Sequence, residues 1–182
     1  MLKAHIPTSR PIRLFAMDCD GTLTDGGITY IETPTSRIDV AEIGRALTFY
    51  SKDFHGLGDL KAAGIKMAII SGNTTSVVTT RAEIMGIEYV TQGDRKPEEK
   101  LEALTKMCSL AGIWFDEVAY IGDDAPDILA LLAAGLSFAP ADASAEALSA
   151  AHIVTKLPGG RGAVREACDY ILQHNRNMSA SK

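Results

Sequence analysis

Cysteine is scarce in this chain: Cys19, Cys108 and Cys168 are the three in 182 residues, odd in number and far apart. That excludes a disulfide framework and suits a reducing compartment, and no pair has the close spacing of a metal-binding knuckle. Basic residues are also in short supply, 18 Lys and Arg against 23 Asp and Glu, for a formal net charge of -5. This balance argues against nucleic acid or an anionic membrane as the main partner, although a local basic pocket could still receive one small anion. No apolar run approaches the length that crosses a bilayer, and residues 1–11 hold none of signal-peptide length, so a cytoplasmic protein without a membrane partner is expected. Internal repeats and low-complexity tracts are missing too. What remains is ordinary globular material, 46% hydrophobic and 23% charged, of a size that fits one domain over residues 1–182.

Short apolar runs at 12–17, 66–70, 88–91, 117–121, 136–138 and 152–155 alternate with helical patterns at 53–63, 74–85, 97–111, 124–134, 144–150 and 163–174. Strands alternating with helices predict βαβ units, hence an α/β, doubly wound, Rossmann-like parallel sheet covered on both faces. Residues 26–50 break the alternation. Ile28-Thr29-Tyr30-Ile31 and Ala46-Leu47-Thr48-Phe49 flank a polar stretch with Pro34, Ser36, Asp39 and Gly44, which reads as a β-hairpin flap inserted after the first strand. An isolated hairpin is marginal in water, so its Ile28, Tyr30, Ile31, Leu47 and Phe49 are expected to pack on another subunit. Residues 1–9 and 175–182 are expected to fray.

The chemistry collects where apolar runs end. Asp18 and Asp20 close the first run, in Met17-Asp18-Cys19-Asp20-Gly21-Thr22-Leu23-Thr24-Asp25. In an open α/β sheet, groups at the carboxyl ends of strands face the ligand crevice. An Asx turn would explain one such acid locally. Asp123, Asp124 and Asp127, in Gly122-Asp123-Asp124-Ala125-Pro126-Asp127, repeat the arrangement after the run 117–121. Helix capping needs one acid at each place, whereas two clusters on separate strands fit a hard cation held by oxygen. Between them, Ser71-Gly72-Asn73 offers a hydroxyl and backbone amides at a strand-to-helix turn, a ready cradle for an oxyanion or equally a helix cap. Lys96 and Lys100 bracket the start of the next helix, where Pro97 explains itself structurally. Cys19, alternating with the two aspartates, should point into the core.

Taken in order, Asp18-x-Asp20-Gly21-Thr22, Ser71-Gly72-Asn73, a lysine and Gly122-Asp123-Asp124-x-x-Asp127 resemble the four motifs of the haloacid dehalogenase superfamily of phosphotransferases. More narrowly the chain is similar to that superfamily's capless, tetrameric sugar-acid phosphatases, over most of 13–173, including Gln92-Gly93 and Gly159-Gly160-Arg161-Gly162. The resemblance implies a fold with no large cap domain, a flap at about 26–50 and a substrate-reading tail at about 157–182. It also implies Mg²⁺-dependent hydrolysis of a phosphorylated eight- or nine-carbon 2-keto sugar acid. Asp18 would be the nucleophile and Asp20 the general acid and base. Mg²⁺ would be held by Asp18, the backbone carbonyl of Asp20 and Asp123, with Asp124 and Asp127 behind them. Ser71, Gly72, Asn73 and the lysine would bind phosphate, Lys100 by its distance from Gly122 and Lys96 in reserve. Arg161 would read substrate, in a neighbouring subunit of a homotetramer.

The segment Lys52-Asp53-Phe54-His55-Gly56-Leu57-Gly58 and a long flap depart from the family pattern where sugar should be read, and His55 there is a substrate contact or simply structural. Three readings compete with the first: a phosphatase for a nonulosonic acid 9-phosphate or another small ester, a noncatalytic oligomerisation module like those fused to sialic-acid-activating cytidylyltransferases, and a response-regulator-like phosphoacceptor.

Overall fold

The computed structural model of the protein describes residues 7–34 and 41–180. Six parallel strands form the main sheet: β1 (Leu14–Met17), β4 (Lys66–Ser71), β5 (Tyr89–Gln92), β6 (Val118–Ile121), β7 (Leu136–Ala139) and β8 (Ile153–Val154), in the spatial order β5-β4-β1-β6-β7-β8. β1 lies centrally, with Phe15 paired to Met67 on one side and Ala119 on the other. The direction of winding reverses between β1 and β6, which makes their carboxyl ends the switch point where this class of sheet opens a crevice.

Side-chain alternation along the strands divides the interior into two cores. Phe15, Met17, Met67, Ile69, Ala119, Ile121, Leu136 and Phe138 face one way, toward α1 (Ser51–Ala62), α2 (Ser76–Met85) and α6 (Ala163–Ala180). Leu14, Ala16, Ala68, Ile70, Val118 and Tyr120 face the other, toward α3 (Pro97–Ala111), α4 (Ile128–Ala133) and α5 (Ala145–Ala150). Coverage on both faces is why these strands are continuous apolar runs in the sequence. Cys19 is fully buried in the first core, as its alternation predicts.

Three expectations need correction. The flap pairs β2 (Thr29–Pro34) with β3 (Ala41–Ala46), so its second strand lies earlier than 46–49. Leu47 and Phe49 instead turn back and pack half-buried against the first core, Phe49 bridging Thr24 and lying beside the Arg81 guanidinium. The centre of the polar stretch, with Ser36 and Asp39, is outside the described residues. The helix expected over 124–134 is divided into a 3-10 turn, Ala125–Asp127, and α4. The Asp127 carboxylate there accepts the Asp123 and Asp124 amides at 3.3 Å, holding the chain in the turn before the helix opens. Finally, α6 runs on through 175–180 where fraying was expected. The Asn175 side chain accepts from Ile12 N at 2.7 Å and donates to Ile12 O at 2.8 Å, tying the helix to the segment before β1.

Candidate active site

β1 ends at Met17, and the Asp18 amide still bonds to Ile121 O at 3.0 Å, so the acid sits at the mouth of the switch point. The chain then turns tightly, with Thr22 and Thr24 amides both bonding to Cys19 O. Gly21 makes the turn possible at φ 84°, and a Cβ there would overlap the Asp123 carboxylate. Gly122 is constrained in the same way, since its Cβ would run into Asp127. Both acidic clusters thus depend on an adjacent glycine for close approach.

Lys100 reaches in from the first turn of α3 and is 3% exposed. Its Nζ lies 2.8 Å from Asp18 Oδ1 and 2.7 Å from Asp127 Oδ1. The Tyr120 hydroxyl donates to the same Asp127 oxygen at 2.6 Å. Asp127 is therefore saturated, with lysine and tyrosine on one oxygen and two amides on the other. Asp123 accepts from Thr22 Oγ1 at 2.9 Å. Ligand oxygens of Asp18, Asp123 and Asp127 all lie within 4.8 Å of one another.

Electrostatics show what this cluster lacks. Burial, then the Asp127 charge, push the Asp18 carboxyl well above its ordinary range despite Lys100. Burial and Asp127 likewise raise Asp123 to about 6. Burial opposes the Lys100 charge, but Asp18 and Asp127 outweigh it and its net shift is upward. One lysine does not compensate the acids packed here, and a hard divalent cation would. The donor set fits such an ion, with Asp18 and Asp123 as the carboxylates that can turn to it while Asp127 stays engaged.

A cleft of about 410 Å³ opens above, lined among others by Asp18, Asp20, Asn73, Arg95, Lys100 and Asp123. Gly72, Asp124 and Asp127 also border it. Asp20 accepts from Asn73 Nδ2 at 2.8 Å, which orients its carboxylate from the Ser71-Gly72-Asn73 turn. That turn is itself fixed: Asn73 N donates to Ser71 Oγ at 3.0 Å, and Gln92 Nε2 donates to Asn73 O and Thr75 O at 2.8 and 2.9 Å. Ser71 is buried beneath the turn and is not part of the cleft lining.

The remaining sequence candidates lie elsewhere. Lys96 points outward, pairing with Glu99 at 3.6 Å. His55 is exposed on α1, outside the cleft lining. Arg161 pairs with Asp25 at 3.0 Å and does not line the cleft of its own chain. Its neighbours Gly159 and Gly160 explain the glycine run: a Cβ on the first would overlap Gly21 O, and one on the second the Thr24–Asp25 backbone. The tail thus clamps the loop that carries Asp18 and Asp20. Sequence reasoning gave no role to Thr22, Tyr120, Gln92 or Arg95. Thr22 could have been found from its place in the first motif, whereas Tyr120 looks like any apolar strand residue until its hydroxyl meets Asp127.

A family model described as haloacid dehalogenase-like hydrolase matches residues 43–135. The chain is 37% identical over 161 residues to the 3-deoxy-D-manno-octulosonate 8-phosphate phosphatase of Yersinia pestis, spanning 88% of this chain and 80% of that protein. Among solved structures, the Moraxella catarrhalis phosphatase of that name, in complex with magnesium, phosphate and KDO, superposes with a TM-score of 0.81 at 37% identity, covering 94% of this chain and 92% of that one. A cobalt-bound deoxy-D-mannose-octulosonate 8-phosphate phosphatase from Haemophilus influenzae gives 0.78 at 33% identity, covering 92% and 91%. The chain belongs to the haloacid dehalogenase-like hydrolase family, and it is a phosphatase.

Proposed function

We propose that this phosphatase is Mg²⁺-dependent and cleaves the phosphate ester of 3-deoxy-D-manno-octulosonate 8-phosphate through an aspartyl-phosphate on Asp18. The observation that carries the reading is Asp18 itself, buried at the switch point, with one oxygen held by Lys100, and lining the cleft. The names of the relatives supply the substrate.

In the first half-reaction an Asp18 oxygen bonds to phosphorus as the sugar oxygen departs, and Asp20 gives that oxygen its proton. In the second, Asp20 takes a proton from water as the water oxygen displaces Asp18, so both carboxyl groups return to their starting states. Asn73 keeps Asp20 aimed into the cleft throughout. Ser71 Oγ accepts the Asn73 amide and fixes the turn from below, so that the Gly72 amide at the cleft wall can donate to phosphate. Lys100 balances charge on Asp18 and is kept in place by Asp127. Asp18, the Asp20 carbonyl and Asp123 would hold Mg²⁺, which when bound would supply positive charge against the transferring group. Exposed Ile28, Tyr30 and Ile31 on the flap support assembly into a homotetramer through that hairpin.

Phosphate release is the test, measured on KDO 8-phosphate and on nonulosonate, hexose and pentose phosphates, with Mg²⁺ and with chelator. Metal-dependent preference for KDO 8-phosphate is expected, and Asp18→Asn should abolish turnover without changing the fold. Preference for another ester would reassign the substrate, and silence across the panel would favour the noncatalytic oligomerisation reading.

A further inference from the structure

Lys100 and Arg95 are the two cations among the described residues that line the cleft, and they sit at different depths. Lys100 is buried at the floor and committed to Asp18 and Asp127. Arg95 is exposed, in the loop between β5 and α3, and its Nε donates to Gly72 O at 3.4 Å. That contact lays the side chain over the Ser71-Gly72-Asn73 turn, with Cγ only 3.3 Å from where a Gly72 Cβ would stand. Among the described residues no carboxylate pairs with its guanidinium, so both terminal NH₂ groups are available.

The loop is held on both sides. Gly93 and Asp94 amides bond to Ser71 O at 2.8 and 3.3 Å, and Glu99 accepts the Arg95 and Lys96 amides at 2.9 and 3.1 Å. Such a loop presents its arginine in one place, which favours binding by lowering the ordering cost. Acids dominate the rest of the lining: Asp18, Asp20, Asp94, Asp123, Asp124 and Asp127. A second anionic group on the substrate would therefore be repelled everywhere except at this rim.

We propose that Arg95 is a specificity-determining residue that pairs with the carboxylate of a sugar-acid phosphate, from the same chain that performs the chemistry. The reacting phosphate must descend to Asp18, so the part of the substrate left at the height of Arg95 is the remainder of the molecule. In a sugar acid that remainder bears a carboxylate, which the planar guanidinium fork matches with two parallel hydrogen bonds. Arg161, ion-paired to Asp25 outside the cleft, does not occupy this position in its own chain.

The inference rests on the sugar-acid reading, and one experiment separates the two. Steady-state kinetics of the wild type, Arg95→Ala and Arg95→Lys are compared on KDO 8-phosphate and on p-nitrophenyl phosphate, which has no carboxylate. Arg95→Ala should lower kcat/KM for the sugar acid roughly 10- to 100-fold, mainly through KM, and leave the aryl ester within about twofold. Arg95→Lys should recover part of the loss. Equal losses on both esters would place the guanidinium on the phosphoryl group and overturn the proposal, as would no loss on either. Failure of the sugar-acid reading would show earlier, as a wild type that cleaves the aryl ester and not KDO 8-phosphate.

Discussion

At the level of single residues, the candidate site is organised around Asp127, a carboxylate to which the proposed reaction gives no covalent step. Its four hydrogen bonds join α3, β6 and the turn before α4, and through Lys100 they fix the position of Asp18. Tyr120 is the neutral member of the group, its hydroxyl kept protonated by burial and by the charges of Asp127 and Asp18, which raise its pKa well above the ordinary value. Removing that hydroxyl should leave Asp127 with one fewer donor in a place water does not reach. Tyr120→Phe is therefore expected to lose about 1.5–3 kcal/mol of stability, the usual worth of a hydrogen bond to a charged group. It should also lower kcat more than it raises KM, because in the proposed reaction the displaced Lys100 and Asp18 act on the transferring group rather than on the sugar. Denaturant unfolding and steady-state kinetics on the same preparation check both halves. A variant as stable and active as the wild type would show that Lys100 and the Asp123 and Asp124 amides hold Asp127 without the tyrosine.

Between elements, the contact of α1 with α6 carries a buried acid unrelated to the cleft. Asp53, in the first turn of α1, accepts the Arg165 amide at 2.8 Å near the start of α6, while its second oxygen is buried without a hydrogen-bond partner. Burial raises its pKa from 3.8 to about 6, the Arg165 amide opposing only part of the shift. A carboxyl whose folded pKa lies above its unfolded one binds more protons in the folded state, so its contribution falls as pH rises from about 4 to about 6 and is flat beyond. The full effect is about 3 kcal/mol. Asp53→Asn keeps the acceptor for Arg165 and abolishes the titration. Relative to wild type it should gain stability progressively between pH 4 and 6.5, and urea midpoints of the two proteins that shift in parallel with pH would exclude Asp53 as the source. The same segment shows what the sequence made legible. Main-sheet strands were readable because coverage on both faces makes them continuous apolar runs, and the acids of the cleft were readable because they end those runs. The second flap strand was misplaced because Leu47 and Phe49 carry a hydrophobic signal that belongs to the main core. Tyr120 beneath Asp127, the burial of Asp53 and the packing of Gly159 on Gly21 depend on long-range contacts, to which local pattern is blind.

For the molecule as a whole, the winding of the sheet gathers the cleft from four strand ends, and no described flap residue lines it. Within one chain the hairpin leaves Ile28, Tyr30 and Ile31 at 55%, 70% and 52% exposure. Tyr30 and Ile31 are successive residues of β2, so they lie on opposite faces of the hairpin, and folding it back onto its own main sheet could cover only one of them. Two strands without a covered face are marginal in water. Subunits meeting through their flaps would bury both faces, and the anchoring of Leu47 and Phe49 on the core would hold each hairpin at a fixed angle for that purpose. Changing Ile28, Tyr30 and Ile31 together to serine removes the apolar surface and touches neither core nor cleft. Light scattering should then report a smaller particle than the wild type gives, with unchanged circular dichroism. Hydrolysis of p-nitrophenyl phosphate should persist in the smaller species, since Asp18, Asp20, Asn73, Lys100 and Asp123 come from one chain. If the mass stays that of the wild type, the flap is not the interface. If the mass falls and aryl ester hydrolysis disappears with it, a neighbouring subunit completes the reacting centre itself and not only the reading of the sugar.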